Sequence, residues 1–245
     1  MTSSQEFSLP VLQAISDWQC DYDQAEKAKR GAALAAVESH LQPRFKTLSL
    51  MAFRRFDLTK TPLWQLLADG HLPETISSWT LTTDVAKTFK GGVPPAGWQG
   101  VIVQCAPADA EVILNLATLY RDAEFKKAIE RHKSKIRDFD LGMGRYGAVE
   151  DEVVIRREVL TPGDIYALGG YSSTPEQLGR VIFGRDVTAD EIGWMRASLR
   201  KQGDDFGPWW LDGERKDKVL ERTRLHIPRL LEQKRLQEVR ENGTT

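Results

Sequence analysis

The sequence predicts an α+β protein in which helical segments at both ends flank a central block of short strands. Three observations carry this. Ala-rich, helix-favouring residues dominate the first 45 positions; Thr-, Trp- and Val-rich runs bounded by Gly and Pro fill the middle; and two helix-start signatures follow Gly170. Helices, then strands, then helices is an order that differs from regular βαβ alternation. At about 150 residues per domain, 245 residues make one large or two small domains. The expected division is an N-terminal helical segment (1–46), a central core (47–170) and a C-terminal helical region (171–245).

Along the chain, Ser8 with Pro10 marks a first helix start, and Ala25 to Leu41 forms a second helix. Thr47 to Phe56 reads as a strand carrying Arg54 and Arg55, which alternation sends to opposite faces. A short helix is expected around Leu63 to Leu67, then a strand from Ser77 to Thr83 and a helical turn from Asp84 to Phe89. The loop Gly91-Gly92-Val93-Pro94-Pro95 closes that unit. Gly100 to Cys105 is a short apolar strand, and Ala108 to Tyr120 runs towards helix. Lys126 to Arg137 has no helix breaker and carries six basic residues against the single acid Glu130, which makes it the most basic segment of the chain. Gly142 to Gly147 reads as a flexible loop with one exposed aromatic, Tyr146. Glu152 to Leu160, the turn Thr161-Pro162-Gly163-Asp164 and Ile165 to Leu168 then read as a hairpin. Capping boxes at Thr174-Pro175-Glu176-Gln177 and Thr188-Ala189-Asp190-Glu191 start two helices, the second with an apolar face of Ile192, Met195 and Leu199 and a stop at Gly203. The charged tail from Lys216 to Arg240 is helical with a break near Pro228.

Composition excludes several classes. A hydrophobic share of 41% and a charged share of 28%, without repeats or low-complexity tracts, disfavour collagen-like, coiled-coil and disordered readings. A net charge of -1 excludes a uniformly cationic nucleic-acid coat but permits a local basic patch. Charges interrupt every apolar stretch well short of the roughly 18 residues of a membrane span. Met1 to Glu6 lacks both a basic and an apolar leader region, so the expected location is cytoplasmic. Cys20 and Cys105 make no disulfide framework, and His40, His71, His132 and His226 lack metal-ligand spacing. Walker-type phosphate loops, a G-x-G-x-x-G after a strand and a nucleophile elbow are all missing.

Three elements stand out by their order: Phe53-Arg54-Arg55 on an early strand, Ser78-Trp79-Thr80 followed by Asp84-Val85-Ala86-Lys87-Thr88-Phe89, and Glu150-Asp151-Glu152-Val153-Val154. In that order residues 47 to 170 resemble the ADP-ribosyltransferase superfamily of the arginine, serine, glutamate type. The resemblance implies a split β-sheet core flanked by the terminal helices, NAD as a substrate and no metal. Glu152 is then the catalytic carboxylate that binds the ribose 2′-hydroxyl and stabilises an oxocarbenium-like centre, as in glycoside hydrolysis. Glu150 either polarises the incoming nucleophile or is a surface acid. Arg54 offers a planar fork to the pyrophosphate or the neighbouring ribose. Arg55 stands where many members have Gly and so competes with Arg54 for that role. Ser78 braces the pocket beside the glutamate, Thr80 completes the serine element, and the bulky Trp79 packs under the strand or against NAD.

The acceptor is less specified. Glu-x-Glu points by resemblance to protein arginine, whereas Lys126, Lys127, Arg131, Lys133 and Lys135, just before the acceptor loop, point to a phosphate-bearing target such as RNA or DNA. Tyr146 would stack on a base or touch a protein acceptor. A member without a secretion signal is similar to an internal toxin of a bacterial toxin-antitoxin or anti-phage system. That would bring an antitoxin partner, for which Trp194, Trp209 and Trp210 offer either a surface or a core. Other readings of the same residues are an NAD glycohydrolase, with water as acceptor, and a non-catalytic binding module.

Overall fold

The computed structural model describes residues 6–20, 23–59, 66–67, 70–95, 97–147, 150–171, 175–201, 208–224 and the single residues 228, 232 and 236. Gly203, Thr174, His226 and residues 63–65, which carried expectations above, lie outside them. The architecture is α+β, and every strand pairing with an assigned register is antiparallel. No helix among the described residues is long and apolar enough to cross a membrane. The chain forms two compact units. One comprises residues 1–54, 70–86 and 104–164; the other comprises residues 55–69, 87–103 and 165–245.

The first unit opens with helix α1 (Leu9–Gln19), entered through Pro10, and α2 (Gln24–Val37), whose first turn is capped by the Asp23 carboxylate accepting from the Glu26 N–H at 2.9 Å. Its strands are the start of β1 (Ala52–Leu58), β2 (Ile76–Thr80), β4 (Val112–Asn115) and β5 (Glu152–Arg156), side by side in the order β4-β5-β2-β1. Val11, Leu12, Ile15 and Trp18 recur at helical spacing on α1 and are buried with Leu34, Phe45, Leu114, Phe125 and Val154 in one apolar core. This core also takes in Leu116 and Leu119 of the single-turn helix α4 (Leu116–Leu119), Ile129 of α5 (Ala123–His132) and Met143 of α6 (Met143–Tyr146).

The second unit holds the remainder of β1, the short helix α3 (Thr83–Thr88) from Lys87 onward, most of β3 (Gln99–Cys105), and β6 (Ile165–Tyr171) and β7 (Pro208–Leu211), with β6 between β3 and β7. Helices α7 (Pro175–Phe183), α8 (Ala189–Lys201) and α9 (Gly213–Arg224) complete it. Gly100 and Gly169 face each other across β3 and β6, and the Trp210 ring lies against both, so that a Cβ at either would come within 3 Å of it. The Trp210 indole donates to the Lys87 carbonyl at 3.1 Å. The Thr188 box forms: Thr188 Oγ accepts from the Glu191 N–H at 3.3 Å, and the Glu191 carboxylate accepts from the Thr188 N–H at 2.8 Å.

Three expectations about elements are corrected. Ala108 to Tyr120 is a strand followed by one helical turn, because Val112, Ile113 and Leu114 are buried all round, which a half-exposed helix does not allow and a covered strand does. Glu152–Arg156 and Ile165–Tyr171 form no hairpin. Strand β5 has β2 on one edge and β4 on the other, which leaves no edge for β6. Finally, Gly142 to Gly147 contains the helical turn α6, and Tyr146 is half-buried beneath the Arg145 guanidinium, 5.1 Å from the ring centre.

Candidate active site

Strands β2 and β5 pair with Thr80 opposite Glu152 and Ser78 opposite Val154. Alternation therefore puts Ser78, Thr80 and Glu152 on one face, and Ser77, Trp79 and Val153 on the other. Trp79 is buried on that second face, its indole donating to Ser77 Oγ at 3.0 Å. It packs under the strand, away from Ser78 and Glu152.

Glu152 is a carboxylate 8% exposed, at the end of the face that α1 covers. Its Oε1 accepts from Ser78 Oγ at 2.5 Å and from the Trp18 indole N–H at 2.9 Å, and its Oε2 accepts from Gln19 Nε2 at 3.4 Å. The same Gln19 nitrogen lies 3.4 Å from the Gly147 carbonyl, and Gln19 Oε1 accepts from the Tyr120 hydroxyl at 2.6 Å. Burial, and then the neighbouring Glu152 charge, push the Tyr120 hydroxyl well above the ordinary tyrosine pKa, so it stays protonated and has a proton to donate to Gln19 Oε1. Desolvating a carboxylate costs several kcal/mol, while each hydrogen bond to a charged group returns about 1.5–3 kcal/mol. Two short donors on one oxygen are thus what makes the burial of Glu152 tolerable.

Glu150 stands elsewhere than the expected extended run would place it. Asp151 has a φ of 44°, in the left-handed region, so alternation does not carry back from Glu152 to Glu150. Glu150 is a half-buried turn residue whose carbonyl accepts from Thr80 Oγ at 2.7 Å, and the Asp151 carbonyl accepts from the Leu81 N–H at 3.1 Å. Thr80 thereby fastens the turn that delivers Glu152 to its strand.

The arginines are engaged rather than open. Arg54 forms an ion pair with Glu74, which also lies 3.6 Å from Lys27 Nζ. Burial lowers the Arg54 pKa and Glu74 opposes the shift. Arg55, in the second unit, pairs with Asp57 at 2.8 Å, donates to the Phe89 carbonyl and lies over the Trp210 ring. Neither presents the open guanidinium fork that sequence reasoning assigned to Arg54.

Lys126, Lys127 and Arg131 on α5, and Lys133 and Lys135 on the turn after it, are all exposed. Lys127 pairs with Glu124 and Lys133 with Glu130, whereas among the described residues Lys126, Arg131 and Lys135 form no ion pair. Trp194 is 63% exposed, and Trp209 and Trp210 are half-buried. No group of His, Cys, Asp or Glu among the described residues is arranged to hold a metal ion.

Sequence reasoning missed Trp18, Gln19 and Tyr120, which contact Glu152 or each other from 134, 133 and 101 positions away. Spacing carries no signal for contacts that distant. Only a polar Gln after a Trp, at the end of an otherwise apolar helix face, could have drawn attention to them.

No family model, curated protein or solved structure matches the chain.

Proposed function

We propose that the chain is a mono-ADP-ribosyltransferase that moves ADP-ribose from NAD to a macromolecule, with a lean towards a nucleic-acid base as acceptor. The observation that supports this is the Ser78–Glu152 pair: a serine of one strand donating at 2.5 Å to a carboxylate on the next, in the element order that the resemblance implies. In this reading Glu152 accepts a ribose hydroxyl and stabilises positive charge at C1′. The C1′–nicotinamide bond breaks with its electron pair leaving on nicotinamide, the acceptor nitrogen bonds to C1′, and the acceptor proton passes to Glu150 or water. The exposed Lys126, Arg131 and Lys135 would hold the phosphates of the acceptor, and any restraining protein partner would bind elsewhere, with the exposed Trp194 as one anchor.

A second reading, a non-catalytic module, is favoured by the burial of Glu152 and by the pairing of Arg54 with Glu74. Incubating the protein with labelled NAD and cell lysate, beside Glu152→Gln, separates the two. Label on a macromolecule that is lost with the variant and removed by nuclease supports base modification; label removed only by protease makes the acceptor a protein. Free ADP-ribose without macromolecular label marks a glycohydrolase. A wild type indistinguishable from Glu152→Gln in both products leaves the non-catalytic module.

A further inference from the structure

The two oxygens of Glu152 are held unequally. Oε1 has two donors at 2.5 and 2.9 Å from Ser78 and Trp18, and Oε2 has one distant donor at 3.4 Å from Gln19. The Gln19 amide nitrogen is shared between Oε2 and the Gly147 carbonyl, at 3.4 Å from each. Its amide oxygen, by contrast, is fixed by Tyr120 at 2.6 Å. A carboxylate oxygen with one long bond accepts a further hydroxyl at little cost, whereas one with two short bonds is already satisfied.

We propose that Trp18, Gln19 and Tyr120 are positioning residues of the transfer reaction. Trp18 with Ser78 immobilises Oε1 as the anchored oxygen, while Tyr120 orients the Gln19 amide so that its N–H faces Oε2, the oxygen that takes the substrate hydroxyl. The proposal rests on the transferase reading and adds residues that the arginine, serine and glutamate elements do not contain. Helix α1 and the end of α4 thereby become parts of the site. The amide orientation matters because a flipped amide would turn its oxygen towards two acceptors, Glu152 Oε2 and the Gly147 carbonyl, whereas the orientation present lets the Tyr120 hydroxyl donate to the amide oxygen while the N–H faces Glu152. Of the groups meeting Glu152 here, Ser78, Trp18 and Gln19 do not titrate in the working range, and Tyr120 stays protonated because burial raises its pKa. Glu150 and Asp151 precede Glu152 in the chain, and Asp151 is paired to Arg121 at 3.1 Å.

The test measures nicotinamide release from NAD as a function of pH, for wild type, Glu152→Gln, Gln19→Glu and Tyr120→Phe, with circular dichroism to confirm folding. Gln19→Glu puts a second carboxylate beside Oε2, and like charges at that range raise one pKa. The expected result is an acidic limb of kcat/KM moved up by about one pH unit or more, a shift that damage to packing alone does not produce. Tyr120→Phe keeps the ring against Phe125, removes the donor that holds the Gln19 amide oxygen so that only two contacts at 3.4 Å remain to place the amide, and should lower kcat by about tenfold. It carries the test by itself if Gln19→Glu does not fold. Wild-type release that needs Glu152 but has the same pH profile in Gln19→Glu and the same kcat in Tyr120→Phe overturns the positioning roles and leaves the transferase reading intact. Absence of release from wild type overturns both.

Discussion

Replacing Gly169 with alanine tests how the second unit is closed. Gly169 lies opposite Gly100 on β3 and opposite Trp210 on β7, and its backbone φ is one that alanine accepts, so the effect is steric alone. An added Cβ would sit 2.5 Å from two indole carbons, about 0.9 Å inside the 3.4 Å at which ordinary contact begins. The ring cannot yield freely, being tied to the Lys87 carbonyl at 3.1 Å and covered by the Arg55 guanidinium. Overpacking of this kind costs about 1–3 kcal/mol, and losing the indole hydrogen bond adds about 1 kcal/mol. Against that, alanine in place of glycine returns about 0.4–1 kcal/mol by narrowing the unfolded ensemble. The net expectation is a loss of about 1–3.6 kcal/mol. In a Trp210→Ala background the obstacle is gone, and the same substitution should be neutral or stabilising by about 0.4–1 kcal/mol. Urea titrations of the four proteins, followed by far-ultraviolet circular dichroism, read out this reversal of sign. An equal destabilisation by Gly169→Ala in both backgrounds would refute the steric argument.

Other expectations follow from the same kind of reasoning. Arg157 donates to the Val159 carbonyl at 3.1 Å and lies within 3.5 Å of Glu111 and Asp164, so Arg157→Leu should lower stability by about 1–3 kcal/mol, read as a fall in thermal midpoint; an unchanged midpoint would mean the three contacts contribute nothing. Burial pushes the Cys105 thiol up to about 12, so iodoacetamide at pH 8 should label the half-exposed Cys20 and spare Cys105, as peptide mass spectrometry will report. The sign for stability follows: above the ordinary value of 9.0 the unfolded thiol ionises while the folded one does not, so Cys105 subtracts from stability as pH rises past that point. Hydrogen bonding from Arg185 and from the Thr188 backbone lowers the Glu191 pKa from 4.5 to about 2, so its contribution to α8 is complete above the ordinary value and is lost as pH falls towards about 2. A side-chain NMR titration of Glu191 with its midpoint at the ordinary value would remove that contribution, and 1 M salt should weaken it because the pair is exposed.

The sequence was most legible where local chemistry decides the structure. Pro10, the Ala25–Leu41 run and the Thr188–Glu191 box announced their helices, because caps and propensities act within a few residues. The strand carrying Ser78 and the one starting at Glu152 were also readable, but their neighbours were not. Which strand lies beside β5 depends on edges filled from distant segments, and so the apparent hairpin with β6 was illusory. Ser78 and Glu152 were singled out through their motif as candidates, and the structure brings them within hydrogen-bonding distance. Trp79 went to the other face through the period of two in a strand, and Glu150 was displaced by a single left-handed residue that no composition signals. Trp18, Gln19 and Tyr120 were invisible because burial against a carboxylate is a tertiary event.

The hydrogen bond from Trp18 to Glu152 joins positions 134 residues apart, and that from Ser78 spans 74. Closing such loops has an entropic cost that local contacts do not meet, so the organised carboxylate belongs to the end of folding rather than to its beginning. During synthesis, the helix that supplies Trp18 and the strand that supplies Ser78 leave the ribosome with nothing to hold. Only when β5 emerges can the three groups converge, which ties the appearance of an ordered site to the near-completion of the first unit.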